Sequence, residues 1–361
     1  RDFRAESKKY MRESLKLTFI MALAWPLIHA TVGLAALIIL WTGGNMVITE
    51  TLSLADLSAF IVYLMMLSWP LAEFGWVLTV YQRGAVSMTR ILEILTEKSS
   101  IREGEQTDRT LDSIAGAISF RSVFFAYNGQ PVLENVSFDI PAGQTIAIVG
   151  PTGSGKSTLL SLIAREYDPE KGMVVVDGRD IRELPLGVLR RSIGYVPQDP
   201  FLFSDTLKAN LTLGNPEATP QDMDWACEIA QFSETLDQMP EKYETLLGER
   251  GVNLSGGQKQ RLIIARALIR KPRILILDDA LSTVDTHTEE EILRRLKDVM
   301  RERTSIIVSH RISTVSHADR IFVLDDGQIV EKGNHEDLIA REGLYAAMYR
   351  RQLLEEEIEE A

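Results

Sequence analysis

Gly150-Pro151-Thr152-Gly153-Ser154-Gly155-Lys156-Ser157-Thr158 is a complete G-x-x-x-x-G-K-[ST] stretch, and the residues on either side of it set the fold. Thr145 to Val149 is an apolar, β-branched run suited to a buried strand, and Leu159 to Ala164 continues as a helix. The glycines therefore fall at a strand-to-helix turn. At such a turn successive backbone N–H groups curl inward and the helix N-terminus adds positive potential. Lys156 can then reach the β- and γ-phosphates of a nucleotide, and Ser157 can ligate Mg²⁺. The bland alternative is a glycine-rich turn that matches by chance, and the segments downstream argue against it.

Ile274-Leu275-Ile276-Leu277-Asp278 is an apolar run ending in a carboxylate, the pattern of a buried parallel strand that delivers an acid to its C-terminal end. Asp278 is expected to hold Mg²⁺, directly or through water, opposite Ser157. Thr304 to Val308 is another such strand, followed by Ser309-His310-Arg311. A lone histidine at a strand end is ordinarily structural. Ile118 to Val149 alternates apolar and polar residues around Asn128-Gly129, which suits an antiparallel layer, and Asp325-Asp326-Gly327 within Ile321 to Val330 is a hairpin signal. Ile181 to Gly248, with long polar-apolar periods around Leu207 to Met239, reads as a helical subdomain.

Leu254-Ser255-Gly256-Gly257-Gln258 belongs to a far narrower group of ATPases than the phosphate loop does. With it, the chain resembles the nucleotide-binding domain of an ATP-binding-cassette (ABC) transporter over about Ala117 to Leu354, several motifs matching letter for letter. The resemblance implies that Gly150, Pro151, Thr152, Gly153, Ser154, Gly155, Lys156, Ser157 and Thr158 bind ATP with Mg²⁺. It implies that Tyr127, in Phe124-Phe125-Ala126-Tyr127, stacks on the adenine, a contact worth a few kcal/mol at most. Gln198, in Tyr195-Val196-Pro197-Gln198-Asp199-Pro200, takes the place of the glutamine that senses Mg²⁺ and the γ-phosphate and faces the membrane domain, and His310 takes that of the histidine set against the γ-phosphate. Leu247-Gly248-Glu249-Arg250-Gly251 resembles the short loop that marks exporters and argues against an importer ATPase.

In the family two cassettes sandwich two ATP molecules head to tail. Leu254, Ser255, Gly256, Gly257 and Gln258 are thus implied to act on the partner's ATP, and Ser282-Thr283-Val284-Asp285 is the loop between sites, through Ser282 and Asp285. One position departs from the pattern: the family carries glutamate after the Mg²⁺-binding aspartate, and this chain has Asp279. The loss of one methylene withdraws the carboxylate by about 1 Å, and misplacement on that scale can cost roughly a hundredfold in rate. Either backbone or a bound water compensates and Asp279 still works as the base, or the site is weakened. An impaired site beside an intact signature resembles heterodimeric exporters, in which one site hydrolyses and the other mainly holds ATP; a homodimer with two slow sites is the alternative.

The N-terminal part has another composition. Leu17 to Trp41 is free of charged side chains and spans about 37 Å as a helix, enough to cross a hydrocarbon core of roughly 30 Å. A second span, Leu57 to Tyr81, is apolar apart from Glu73, and Thr42 to Asp56, with Gly43-Gly44-Asn45 and no lysine or arginine, reads as the connector of a helical hairpin. Basic residues flank its two ends, Arg1 to Lys16 on one side and Arg83 and Arg90 on the other, which places both ends in the cytoplasm with the cassette. Pro26 and Pro70 are expected to kink the helices, and Glu73 either snorkels to the interface or faces a cavity. The first 16 residues read as a charged amphipathic helix rather than a signal peptide.

In the family six transmembrane helices precede each cassette, so the N-terminal part is expected to be the fifth and sixth helices of a longer half-transporter. The expected layout is residues 1–95 for this membrane part, a polar linker over 96–116, the nucleotide-binding domain over 117–354 and an acidic tail over 355–361. The implied fold is a two-part chain, all-α transmembrane helices followed by an α/β P-loop domain with an antiparallel β layer and a helical subdomain. The implied function is ATP-driven export of a hydrophobic or amphipathic substrate, with a second half-transporter and the lipid bilayer as partners, in a bacterial plasma (inner) membrane. The alternatives are a nucleotide-binding subunit whose own site does not turn over, and a soluble cassette ATPase of the kind in chromosome or repair proteins, against which Leu17 to Trp41 argues. A net charge of −12 gives nucleic-acid binding no support. The single cysteine, Cys227, excludes an intrachain disulfide and agrees with a reducing compartment.

Overall fold

The computed structural model describes residues 2–284 and 286–359. It divides between Lys98 and Ser99 into two compact units.

The first unit is a pair of long helices, α1 (Asp2–Ile48) and α2 (Leu54–Thr96), each long and apolar enough to cross a membrane. The turn between them covers only residues 49–53, far less than the 42–56 read from the sequence, because α1 runs straight through Gly43-Gly44-Asn45. The reason lies in packing. A Cβ on Gly43 would stand 2.4 Å from Leu57 Cδ1, so this glycine admits the neighbouring helix instead of bending the chain. Ser53 caps α2, its hydroxyl accepting from the Asp56 N–H at 3.1 Å. Pro26 and Pro70 lie inside α1 and α2 without ending either helix. Leu57 is buried against α1, whereas Phe19, Leu37, Trp41, Trp69 and Trp76 are exposed, and so is Glu73.

The second unit holds two sheets. The smaller is antiparallel, in the order β2 (Gln130–Ile140), β1 (Ile118–Tyr127), β4 (Lys171–Val176), β5 (Arg179–Asp180). The larger has the order β10 (Gln328–Gly333), β9 (Arg320–Asp325), β3 (Thr145–Val149), β8 (Thr304–Val308), β7 (Ile274–Asp278), β6 (Ile193–Val196), and it is parallel except for β10. The expected hairpins form at Asn128-Gly129 and Asp326-Gly327, where all four residues have positive φ, as a two-residue turn of this type requires.

The parallel strands alternate their side chains between two cores. Ile146, Ile148, Ile276, Ile306 and Val308 face the antiparallel sheet and α3 (Lys156–Ile163). Ala147, Val149, Leu275, Leu277 and Ile307 face the helical layer, built from α5 (Leu207–Thr212), α6 (Pro220–Ile229), α7 (Ser233–Asp237), α8 (Gly256–Leu268) and α9 (Thr286–Met300), of which α5 to α8 contribute most, whereas α4 (Leu186–Ser192) packs through Val188 and Leu189 into the first core. Both faces of the strands are buried, which is why they read as unbroken apolar runs. α10 (Ile312–Val315), α11 (His335–Ala340) and α12 (Leu344–Glu359) complete the unit.

The register brings the functional loops to one edge. Ile148 pairs with Val308 and Asp278 pairs with Val308, so β3, β7 and β8 end side by side and the segments starting at Gly150, Asp279 and Ser309 leave the same edge of the sheet. The segment preceding β1 is polar, as the sequence implies, but it is fastened. The Glu103 carboxylate accepts from the Leu186 N–H at 3.0 Å, the Arg102 carbonyl accepts from Arg165 at 3.2 Å, and Asp108 donates its N–H to Glu183 and pairs with Arg179. Asp177 then receives the N–H groups of Ala115, Gly116 and Ala117.

Candidate nucleotide site

The loop between β3 and α3 is held open by its glycines. Gly150 has φ 152°, and a Cβ there would lie 1.9 Å from the Leu324 carbonyl oxygen of β9. Gly155 has φ 102° and a Cβ would meet Leu133 Cδ2 at 2.8 Å, so only glycine fits at either position. No side chain caps α3, which leaves its first N–H groups without a side-chain partner at the loop. Pro151, Thr152, Gly153 and Ser157 are exposed along the loop, while Ser154, Lys156 and Thr158 are buried beneath it. The Lys156 ammonium donates to the carbonyls of Gly150 at 2.9 Å and Pro151 at 2.8 Å. Burial pulls the Lys156 pKa below the ordinary lysine value, and the charges of Asp278 and Asp279 oppose that shift, so the cation is set against both acids.

Asp278 is buried at the end of β7. Its carboxylate accepts from the Tyr195 hydroxyl at 3.1 Å and stands near Ser157, the residue at the start of α3. Burial raises the Asp278 pKa above the usual carboxylate range, partly offset by the neighbouring Tyr195 and Ser157 hydroxyls. Burial, and next the charge of Asp278, push the Tyr195 phenol above its ordinary value. The donor set fits Mg²⁺: a hydroxyl and a carboxylate, both hard oxygens, face each other beside a phosphate-binding loop, and the ion takes one or two protein ligands and completes its shell from phosphates and water. A dedicated cage is not needed, and among the described residues no cluster of three or more His, Cys, Asp or Glu forms one.

Asp279 is also buried and has φ 47°, in the left-handed region. Its N–H donates to the Val308 carbonyl at 2.8 Å, and its own carbonyl accepts from the Ser282 N–H at 3.3 Å and hydroxyl at 3.0 Å. Lys156, Ser157, Asp278 and Asp279 thus come together, with Ser282 tied to the same turn. Asp285 lies outside the described residues. Gln198 and His310 are exposed on the loops that follow β6 and β8, and His310 leaves the same edge as Asp279.

Tyr127 ends β1 within an aromatic cluster: its ring meets Phe125 at 4.8 Å and Tyr167 at 5.3 Å, both edge to face. Tyr127 and Tyr167 are partly exposed, so the cluster presents apolar surface to solvent.

The Leu254 to Gln258 turn stands apart from this group. Leu254 is buried in the helical layer, while Ser255 and Gly256 are exposed. Ser255 is the N-cap of α8, its hydroxyl accepting from the Gln258 N–H at 3.3 Å while the Gln258 side chain accepts from the Ser255 N–H at 2.9 Å. A Cβ on Gly257 would lie 3.2 Å from the Thr283 carbonyl oxygen, so the turn packs on the loop that begins at Ser282. The Gly248 to Gly251 loop packs on Leu202, a few residues past Gln198, with Gly251 at φ 67°.

Three partners of this site were not singled out by the sequence reading. Tyr195 stands within the quoted Tyr195 to Pro200 stretch, and the available signal was a phenol in a strand that ends beside Asp278. Tyr167 lies in the irregular segment between α3 and β4, where nothing marks it. Arg311 follows His310 and pairs with Glu289 of α9, a carboxylate 3% exposed that also accepts from Thr314 at 2.5 Å. That pairing spans distant sequence and has no local signal.

Comparison with known proteins agrees with this geometry. Residues 133–282 match the family described as ABC transporter. The chain is 40% identical over 356 residues, 98% of its length and 60% of the relative's, to the "Probable multidrug resistance ABC transporter ATP-binding/permease protein YheI" of Bacillus subtilis (strain 168). It is 38% identical over 361 residues, 99% of its length and 61% of the relative's, to the "Multidrug resistance-like ATP-binding protein MdlA" of Escherichia coli (strain K12). Among solved structures, "Structure of a bacterial Atm1-family ABC exporter with ATP bound" superposes with a TM-score of 0.73 at 38% identity, over 84% of this chain and 53% of that one. The chain thus spans about 60% of the length of these curated relatives. A phosphate loop, an acid-tipped parallel strand and a capped signature helix on one α/β unit, preceded by apolar helices and matched across nearly the whole chain, place this protein in the ABC transporter family, with its second unit as the ATP-binding domain.

Proposed function

We propose that this chain belongs to a subunit of an ATP-driven ABC exporter, an integral membrane protein that moves a hydrophobic or amphipathic substrate. The observation that carries the reading is the convergence of Lys156, Ser157, Asp278 and Asp279 at the edge of the parallel sheet, beside an uncapped helix N-terminus. In this reading the loop N–H groups and Lys156 bind the phosphates, and Tyr127 with Tyr167 offers the adenine an aromatic surface. Ser157 and Asp278, with Gln198, would hold Mg²⁺, which would neutralise phosphate charge when bound. Asp279 orients the attacking water and takes its proton, and His310 holds the γ-phosphate. Leu254 to Gln258, with Ser282 and Asp285, completes the site of a second subunit. ATP binding favours the closed pair of cassettes and hydrolysis reopens it, the free energy entering as a difference in affinity between two states. The names of the relatives, multidrug resistance proteins and an exporter, support export as the direction.

A second reading rests on Asp279 itself. Its carboxylate is shorter by a methylene than the family's glutamate, and it supports a site that holds ATP and turns it over slowly, within a heterodimer whose partner hydrolyses. Hydrolysis by the full-length protein in lipid, compared for the natural chain, Asp279→Glu and Asp279→Asn, tests both. Near-inactivity restored by glutamate supports the slow site and a heterodimer. Brisk turnover lost only with asparagine makes Asp279 the working base and a homodimer the simpler account. Activity indifferent to both substitutions would sink the assignment of Asp279 to the chemistry.

A further inference from the structure

We infer that Tyr195 is a positioning residue for the Mg²⁺ site, its hydroxyl fixing the orientation of the Asp278 carboxylate. The inference rests on the reading of Asp278 as a metal-holding residue and adds to it a residue that is not itself a ligand.

The placement follows from the sheet. β6 is the edge strand and pairs with β7 in parallel register, Tyr195 opposite Ile276. Neighbours in register project to the same face, and so do residues two apart along a strand, so Tyr195 shares its face with both Ile276 and Asp278. The long phenol bridges the diagonal, and its hydroxyl reaches Asp278 Oδ2 at 3.1 Å. A carboxylate turns easily about its last bond. A donor held on one oxygen by a ring packed against the core stops that rotation and leaves the other oxygen for the ion. This is the arrangement by which outer partners orient metal-ligating groups, and losing such a partner typically costs about 10- to 100-fold in metal affinity. The ring also walls a cavity of about 470 Å³ with Ile193, Leu213 and Ala267, so phenylalanine keeps the wall and deletes only the hydrogen bond.

The test is a titration of Mg²⁺ into the full-length protein in lipid nanodiscs with a fluorescent ATP analogue, for the natural chain, Tyr195→Phe, Tyr195→Val and Asp278→Asn. Binding in EDTA provides the metal-free baseline. The expected result is that both Tyr195 variants bind the analogue in EDTA within about twofold of the natural chain but need roughly tenfold more Mg²⁺ for half-maximal enhancement, and that Asp278→Asn needs more still. An unchanged Mg²⁺ requirement in Tyr195→Phe, with Asp278→Asn impaired, overturns the inference, and a loss confined to Tyr195→Val would then assign the ring to packing alone. An unchanged requirement in Asp278→Asn overturns the metal assignment of Asp278 itself, and the inference with it.

Discussion

Two helices of the ATP-binding unit begin at glycine-rich turns, and they begin in opposite ways. α3 follows Gly155, which is left-handed and offers no side-chain cap, and its loop is pressed against the Leu324 carbonyl and Leu133 of its own chain. α8 follows Ser255, closed by a capping box with Gln258, exposed at its tip and backed by Thr283. The first turn is shaped by the core behind it and leaves N–H groups free for a ligand. The second satisfies its own N–H groups and needs no ligand to keep its shape. If the second turn serves a second subunit, as proposed above, it gains from being finished before that subunit arrives, since less order is then lost on binding.

The comparison can be broken most directly at Lys156. Lys156→Ala is expected to lower hydrolysis at this chain's own site by at least about 100-fold, the scale for removing one fixed charge-stabilising donor, with the partner's site reading its own phosphate loop. Nucleotide trapping resolved by subunit measures it, and equal loss at both sites through binding alone would erase the distinction between the inward and outward turns. Next in size is Arg311→Ala, which strands the buried Glu289 carboxylate between Thr314 and the core. A cost of about 2 kcal/mol is expected, below the figure for a fully buried pair because Arg311 is partly exposed, and Glu289→Gln should recover part of it in the double variant. Denaturant unfolding of the full-length protein checks both.

Ser255→Ala sharpens the comparison at the outward turn. It removes the cap of α8 at a cost of about 1 kcal/mol, or a few degrees in Tm, while nucleotide affinity at this chain's own phosphate loop should stay within about twofold. A large loss of that affinity would place the signature turn in its own chain's site. The smallest effect is expected at position 279, where Asp279→Glu should cost under about 1 kcal/mol in stability and Asp279→Asn nothing measurable, because aspartate and asparagine tolerate a left-handed backbone better than longer side chains do. Thermal unfolding distinguishes them independently of any gain in turnover.

The parallel strands were readable because burial on both faces leaves no alternation, and the hairpins because Asn-Gly and Asp-Gly are turn chemistry. The placement of Lys156, Ser157 and Asp278 was readable because each stands at the tip of an element the chain declares locally. Other features depended on distant pairing. Gly43-Gly44 carries the composition of a loop, and only the approach of Leu57 makes it a helix contact. Polar residues 102–108 look like a free linker until Leu186, Arg165 and Arg179 supply partners. Tyr195 acts across a strand pair, and the left-handed φ of Asp279 is imposed by its bond to Val308 and by the turn to Ser282. None of these is encoded within a window of neighbouring residues.

The contact between Gly150 and the Leu324 carbonyl bears on how the protein is made. β3 leaves the ribosome well before its two sheet partners, β8 and β9. At ordinary rates of translation roughly ten to forty seconds separate the phosphate loop from the strand that backs it. During that interval the nascent chain has the letters of a nucleotide cradle without its wall, so cellular ATP cannot template its folding, and the long apolar hairpin has already emerged. Assembly of the ATP-binding unit is therefore a late, post-insertion event, and truncations short of Leu324 should accumulate as nucleotide-blind, chaperone-bound chains.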